Sequence, residues 1–141
     1  MTITCTRILG FDAGHRVMEH EGKCKHLHGH RYTLEATFEA PALDPIGRVV
    51  DFGVIKERLS GWIDAHWDHT LILWERDRAL GEAVSAKTQQ TVYYLPTNPT
   101  AENMAAYLME RVIPTLFPEP QLRCVHVRLY ETPHCYADAG A

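Results

Sequence analysis

The sequence predicts an α+β domain, and three observations carry that prediction. Residues 29–40 alternate Tyr32, Leu34, Ala36 and Phe38 with polar neighbours, the period of a half-buried strand. From Ile55 the apolar period changes: Leu59, Trp62, Ile63 and His66 fall at i+4, i+7, i+8 and i+11, one face of a helix. Residues 121–130 return to strand alternation. The order is two strands and a helix, a variable segment, then a helix and a strand, with room for a last strand.

The elements follow in turn. Residues 2–12 are rich in Ile, Thr, Cys and Phe and read as the first strand. Residues 16–27 carry Arg16, Glu19, Glu21, Gly22, Lys23 and Lys25 and read as an exposed loop. Turn residues at 41–47, including Pro41, Pro45 and Gly47, close the strand that follows, so strands one and two are expected to pair. The first helix is expected to end near His66 or Trp67, with Asp68-His69-Thr70 opening a loop. Residues 75–87 have room for a short helix. Residues 90–95 read as a short strand stopped by Pro96. Thr100 is the expected N-cap of the second helix, Glu102 suits the dipole in its first turn, and Met104, Leu108 and Val112 form its apolar face. Pro114 is expected to end it.

At 141 residues, 45% of them hydrophobic and 23% charged, the chain is expected to be one globular domain, residues 1–141. A formal net charge of −4 argues against broad nucleic-acid binding. No apolar run approaches the roughly 18 residues of a membrane span. The N-terminus lacks the apolar core of a signal peptide, so the cytoplasm is the expected compartment and free thiols the expected state of the four cysteines.

Chemistry concentrates in Cys24-Lys25-His26-Leu27-His28-Gly29-His30 and in His15 upstream. Residues i and i+2 of a strand share a face, so His28 and His30 present two imidazoles side by side, and His15 can meet them across an antiparallel pair. Three neutral histidines with an open fourth position suit a catalytic zinc. Cys24 reads equally well as a reactive thiol or as a fourth ligand closing a structural site. Asp68-His69 resembles an acid/base pair, although as neighbours in sequence they read as readily as a polar helix exit. Glu131, at the end of the last apolar strand, is either a surface carboxylate or an acceptor for two parallel N–H bonds from a ligand edge.

FDAGHR, CKHLHGHRY, VVDFG, DHT, NPTAEN and ETP, in this order from residue 11 to about 133, resemble the 6-pyruvoyltetrahydropterin synthase / 6-carboxytetrahydropterin synthase family. The three-residue gap between Cys24 and His28 resembles the bacterial carboxy-forming type; the animal pyruvoyl-forming enzymes have a longer gap, and a third group has glutamate for the cysteine. The resemblance implies the T-fold, a four-stranded antiparallel sheet with two helices on one face, oligomerising into a barrel. The implied assembly is a homo-hexamer, a dimer of trimers. It implies Zn2+ on His15, His28 and His30, Cys24 as base, Asp68 with His69 as proton relay, and Glu131 anchoring a pterin through N3–H and the 2-amino group. Thr132 and Glu102 join the implied substrate contacts. Arg16, Lys23, Lys25 and Arg31 are the nearest cations for a triphosphate. The implied activity is that of a zinc-dependent carbon–carbon lyase acting on 7,8-dihydroneopterin triphosphate, with no nucleic-acid or membrane partner. Three departures stand out. Gly14 replaces a usual alanine, His134-Cys135 follow ETP, and residues 75–97 are longer than in compact members.

Overall fold

The alternating stretch around Tyr32 lies at the centre of the sheet in the computed structural model, which describes residues 1–140. β1 (Thr4–His15) and β2 (His28–Glu39) pair antiparallel over their whole length, with Phe11 opposite Tyr32 and Leu9 opposite Leu34. β2 in turn pairs antiparallel with β5 (Arg123–Thr132), and β5 with β6 (Cys135–Gly140). These four strands are the antiparallel set that the resemblance implies.

The sheet nevertheless has six strands, not four, and is mixed. β3 (Thr70–Trp74) runs parallel to β1, and β4 (Val92–Leu95) runs parallel to β3, giving the order β4-β3-β1-β2-β5-β6. Parallel neighbours need a crossover. α2 (Arg78–Thr88) supplies it, and this is where the extra length of residues 75–97 goes. The loop expected after Asp68-His69 is thus corrected: Thr70-Leu71-Ile72-Leu73 is a buried strand. It shows no alternation because both of its faces are covered.

Alternation along the strands sorts the helices. Phe11, Tyr32, Leu34, Ala36, Phe38, Ile72, Val127 and Leu129 meet Ile55, Leu59 and Ile63 of α1 (Phe52–His66) and Met104 and Ala105 of α3 (Ala101–Tyr107) in one core. Each fully buried Val, Leu, Ile, Phe or Met side chain contributes about 1.5–3 kcal/mol. α2 lies on the opposite face, where Gly81 packs on Tyr94 and Val84 shares a cleft with Leu71. Two helices share one face as expected; the third is an addition.

Both helix starts follow from capping chemistry. Asp51 accepts from Gly53 N at 2.7 Å and Thr100 from Asn103 N at 3.1 Å. Pro114 does not end the second helical segment. A widened π turn (Leu108–Val112) leads into α4 (Ile113–Leu116), where the proline sits in a first turn that needs no N–H from it. No helix among the described residues is long and apolar enough to cross a membrane.

Candidate metal centre and active site

The β1–β2 register sets His15 opposite His28 and Ala13 opposite His30, so all three imidazoles lie on the core face at one end of the sheet. His15 is fully buried, and the ring centroids are 4.6 to 5.1 Å apart. His15 Nδ1 is 2.7 Å from Pro99 O, and His28 Nδ1 is 2.7 Å from His26 O. A carbonyl only accepts, so both Nδ1 atoms carry the hydrogen and both Nε2 lone pairs turn inward. Those two Nε2 atoms face each other at 3.1 Å. Two lone pairs at that distance repel unless a cation or a proton lies between them.

Glu131 enters the same group from β5. Its Oε1 is 2.8 Å from His30 Nε2 and 3.6 Å from His15 Nε2. The close contact lacks the alignment of a hydrogen bond, leaving His30 Nε2 buried without a partner. The ligand atoms of His15, His28, His30 and Glu131 all lie within 4.8 Å of one another. Burial, the largest influence, pushes the His30 imidazole below its usual value although Glu131 pulls the other way. It therefore stays neutral, the form that binds metal. Three imidazole nitrogens, that of His30 left unpartnered, and one carboxylate oxygen fit a divalent ion such as zinc. Tyr32 backs the centre with its hydroxyl 3.3 Å from His15 Nδ1.

Cys24 sits half-buried in a single 3-10 turn (Lys23–Lys25) and is not a member of that ligand group. The fourth member of that group is Glu131 and not Cys24, which disfavours a closed His3Cys site.

Asp68 and His69 do pair, with His69 Nδ1 3.1 Å from Asp68 Oδ2. The backbone makes this unusual neighbour contact. His69 adopts a left-handed conformation at φ 58°, and its N–H bonds Asp12 O at 2.6 Å. Asp68 Oδ1 accepts from Asp12 N at 2.9 Å, the main reason its carboxyl is held low. Asp12 and Arg31 oppose each other on the strand face away from the histidines and approach to 3.3 Å. The relay pair and the imidazole centre therefore sit on opposite faces of β1–β2 within one chain. Nothing in the sequence singles out Asp12 as part of this group; its only signal is a strand parity opposite to that of His15.

The other candidate residues separate. Lys23 and Lys25 are exposed and have no ion-pair partner among the described residues. Arg16 is engaged: its Nε and a terminal nitrogen each lie 2.5 Å from a carboxylate oxygen of Asp77, which is only 4% exposed. Glu102 is exposed in the first turn of α3, next to the segment that holds His15. Thr132 Oγ1 accepts from His134 N at 3.2 Å; Pro133 and His134 form the exposed β5–β6 turn, and Cys135 opens β6 opposite Thr132. A β-carbon on Gly14 would make ordinary contacts, His28 O at 3.4 Å and Leu71 at 3.5 Å, so an alanine would fit there too.

Arg16→Ala leaves Asp77 as a buried carboxylate without a counter-charge. Such losses cost 3–5 kcal/mol when both partners are buried; with Arg16 32% exposed, about 2 kcal/mol is expected in chemical denaturation. A loss below about 0.5 kcal/mol would mean that water replaces the arginine.

An α+β sheet carrying a three-histidine centre beside a strand-end glutamate defines a family. Residues 4–141 match the family model described as 6-pyruvoyl tetrahydropterin synthase, and the chain belongs to that family. It groups there with bacterial relatives that carry the carboxy-forming name. The 6-carboxy-5,6,7,8-tetrahydropterin synthase of Rickettsia bellii is 47% identical over 136 residues, 96% of this chain and 99% of that one. The protein of that name from Bacillus subtilis is 33% identical over 118 residues, 84% of this chain and 70% of its own. Among solved structures, 6-pyruvoyl tetrahydropterin synthase of Caenorhabditis elegans superposes with a TM-score of 0.71 at 22% identity, covering 100% of this chain and 96% of that one. An uncharacterized protein of Wolinella succinogenes gives a TM-score of 0.84 at 20% identity, covering 99% and 98%. These two likenesses concern the fold.

Proposed function

We propose that this chain is a zinc-dependent 6-carboxy-5,6,7,8-tetrahydropterin synthase. It would act on 7,8-dihydroneopterin triphosphate and release triphosphate and acetaldehyde, on the route to queuosine and other deazapurines. The observation that carries the reading is the inward-facing pair of Nε2 lone pairs, locked by the Pro99 and His26 carbonyls, in a chain of this family.

His15, His28 and His30 would hold the zinc, which would supply Lewis-acid chemistry that makes a substrate C–H more acidic. Cys24, as thiolate, takes the carbon-bound proton. His69, oriented by Asp68, moves a proton at a side-chain oxygen. Glu131 holds N3–H and the 2-amino group of the ring, assisted by Thr132 and Glu102. Lys23 and Lys25 are free to meet the triphosphate, whereas Arg16 is paired with Asp77. Because Asp68-His69 faces away from the histidines, a site containing both draws them from two chains, in keeping with an expected hexamer of two trimers working in the cytoplasm.

The test is product identification by mass spectrometry, with zinc-loaded protein and 7,8-dihydroneopterin triphosphate. The carboxy product with acetaldehyde is expected. A pyruvoyl product, or side-chain cleavage alone, overturns the assignment.

Glu131 has two candidate uses, ring anchor and metal neighbour, and one variant separates them. Glu131→Ala should weaken pterin binding by about 1.5–3 kcal/mol, roughly 10- to 100-fold, while zinc content and melting change little. Lost zinc with pterin affinity intact would make Glu131 a metal ligand instead.

A further inference from the structure

The loop from Arg16 to Leu27 leaves one imidazole ligand, His15, and returns through Cys24 to another, His28. Where Cys24 rests depends on what holds this loop. Within the loop, Val17 N donates to Cys24 O at 2.8 Å, which ties the thiol-bearing turn to the residue beside Met18. From outside, one side chain grips Met18 through both its N–H and its carbonyl. Asn98 Oδ1 accepts from Met18 N at 3.0 Å, and Asn98 Nδ2 donates to Met18 O at 2.9 Å.

Asn98 is itself braced. Its carbonyl accepts from Asn103 Nδ2 at 2.9 Å and from Thr100 N at 2.8 Å. The next carbonyl, Pro99 O, is the partner of His15 Nδ1. Two consecutive residues thus hold the metal-ligand imidazole with one group and the Cys24 loop with another. We propose that Asn98 is a positioning residue that sets the Cys24 turn relative to the histidine centre. The inference rests on the reading of Cys24 as the base and deepens it.

The chemistry singles out asparagine. Gripping the N–H and the carbonyl of one residue takes a donor and an acceptor in one plane, which an amide supplies. Ionised aspartate keeps the acceptor and sets an oxygen against Met18 O. Alanine removes both bonds. Displacement of a reacting group by about 1 Å can cost roughly 10²-fold in rate. The effect should therefore fall on turnover more than on substrate affinity.

The experiment uses zinc-loaded, full-length Asn98→Ala and Asn98→Asp. Four quantities are read: zinc content, kcat and KM on 7,8-dihydroneopterin triphosphate, and the alkylation rate of Cys24 by iodoacetamide, followed by peptide mass. Expected for both variants are about one zinc per chain, KM within about threefold of wild type, kcat lower by roughly 10- to 100-fold, and Cys24 alkylation changed by about fivefold or more. Wild-type kcat and alkylation rate in both variants overturn the proposal. If Asn98→Ala does not fold, the isosteric Asn98→Asp decides. Failure of both to fold would make Asn98 a stability residue and also overturn it. A Cys24→Ala protein with full turnover would refute the base assignment alone; the Cys24 alkylation rate in the Asn98 variants would still decide whether Asn98 positions the turn.

Discussion

Replacing His28 or His30 by alanine should strip the protein of zinc. Wild type is expected to hold one zinc per chain, and each variant close to none under the same loading. Losing even an outer partner of a ligating histidine costs 10- to 100-fold in affinity, so losing the ligand itself should cost more. His28 and His30 are the informative positions because both are only half-buried. His15 is fully buried and bonded to Pro99, so its removal also damages the fold. The melting temperature gives a second readout. Zinc at about 1,000 times its Kd adds roughly 4 kcal/mol to the folded state. Chelation of wild type should then lower melting by about 10 °C, and the two variants should not respond. Full zinc retention in either variant would sink the three-histidine centre.

Two inactive proteins should restore activity when assembled together. Cys24→Ala and His69→Ala should each be inactive alone. The relay pair lies with Asp12 and Arg31 on the face opposite the imidazoles, so the proposed site would take Cys24 from one chain and His69 from its neighbour. Unfolding the two variants together and refolding them gives about one site in four with both groups intact, if mixing is random. Product formation should return to roughly a quarter of the wild-type level. If refolded wild type recovers while the mixture stays dead, the groups act within one chain or His69 is not the relay.

Much of this site is legible in local sequence because its parts sit close together or at fixed strand spacing. His28 and His30 share a face by parity alone. His15 meets them because β1 and β2 are joined by one loop and pair along their full length. Thr100 marks the start of α3 through its hydroxyl, and Ile55, Leu59 and Ile63 mark α1 by period. Other features lack a local signature. β3 carries an unbroken apolar run, since one face meets the core and the other meets α2, so neither period shows. Pro114 is a helix breaker by rule, but the π turn before it removes the conflict.

Strand parity and helical period are properties of neighbouring residues, and they are enough to specify the class of fold, the three imidazoles and the cysteine beside them. The remaining features exist only once the chain has folded. Folding set β3 and β4 parallel to β1, brought Glu131 to the histidines through the β2–β5 register, joined Arg16 to Asp77, and turned Asp68-His69 to the opposite face. Each of these depends on which strand pairs with which, and in what register. That is settled by the burial of faces contributed by residues far apart in the chain, as in the bond of Asp12 to Asp68 and the contact of His30 with Glu131.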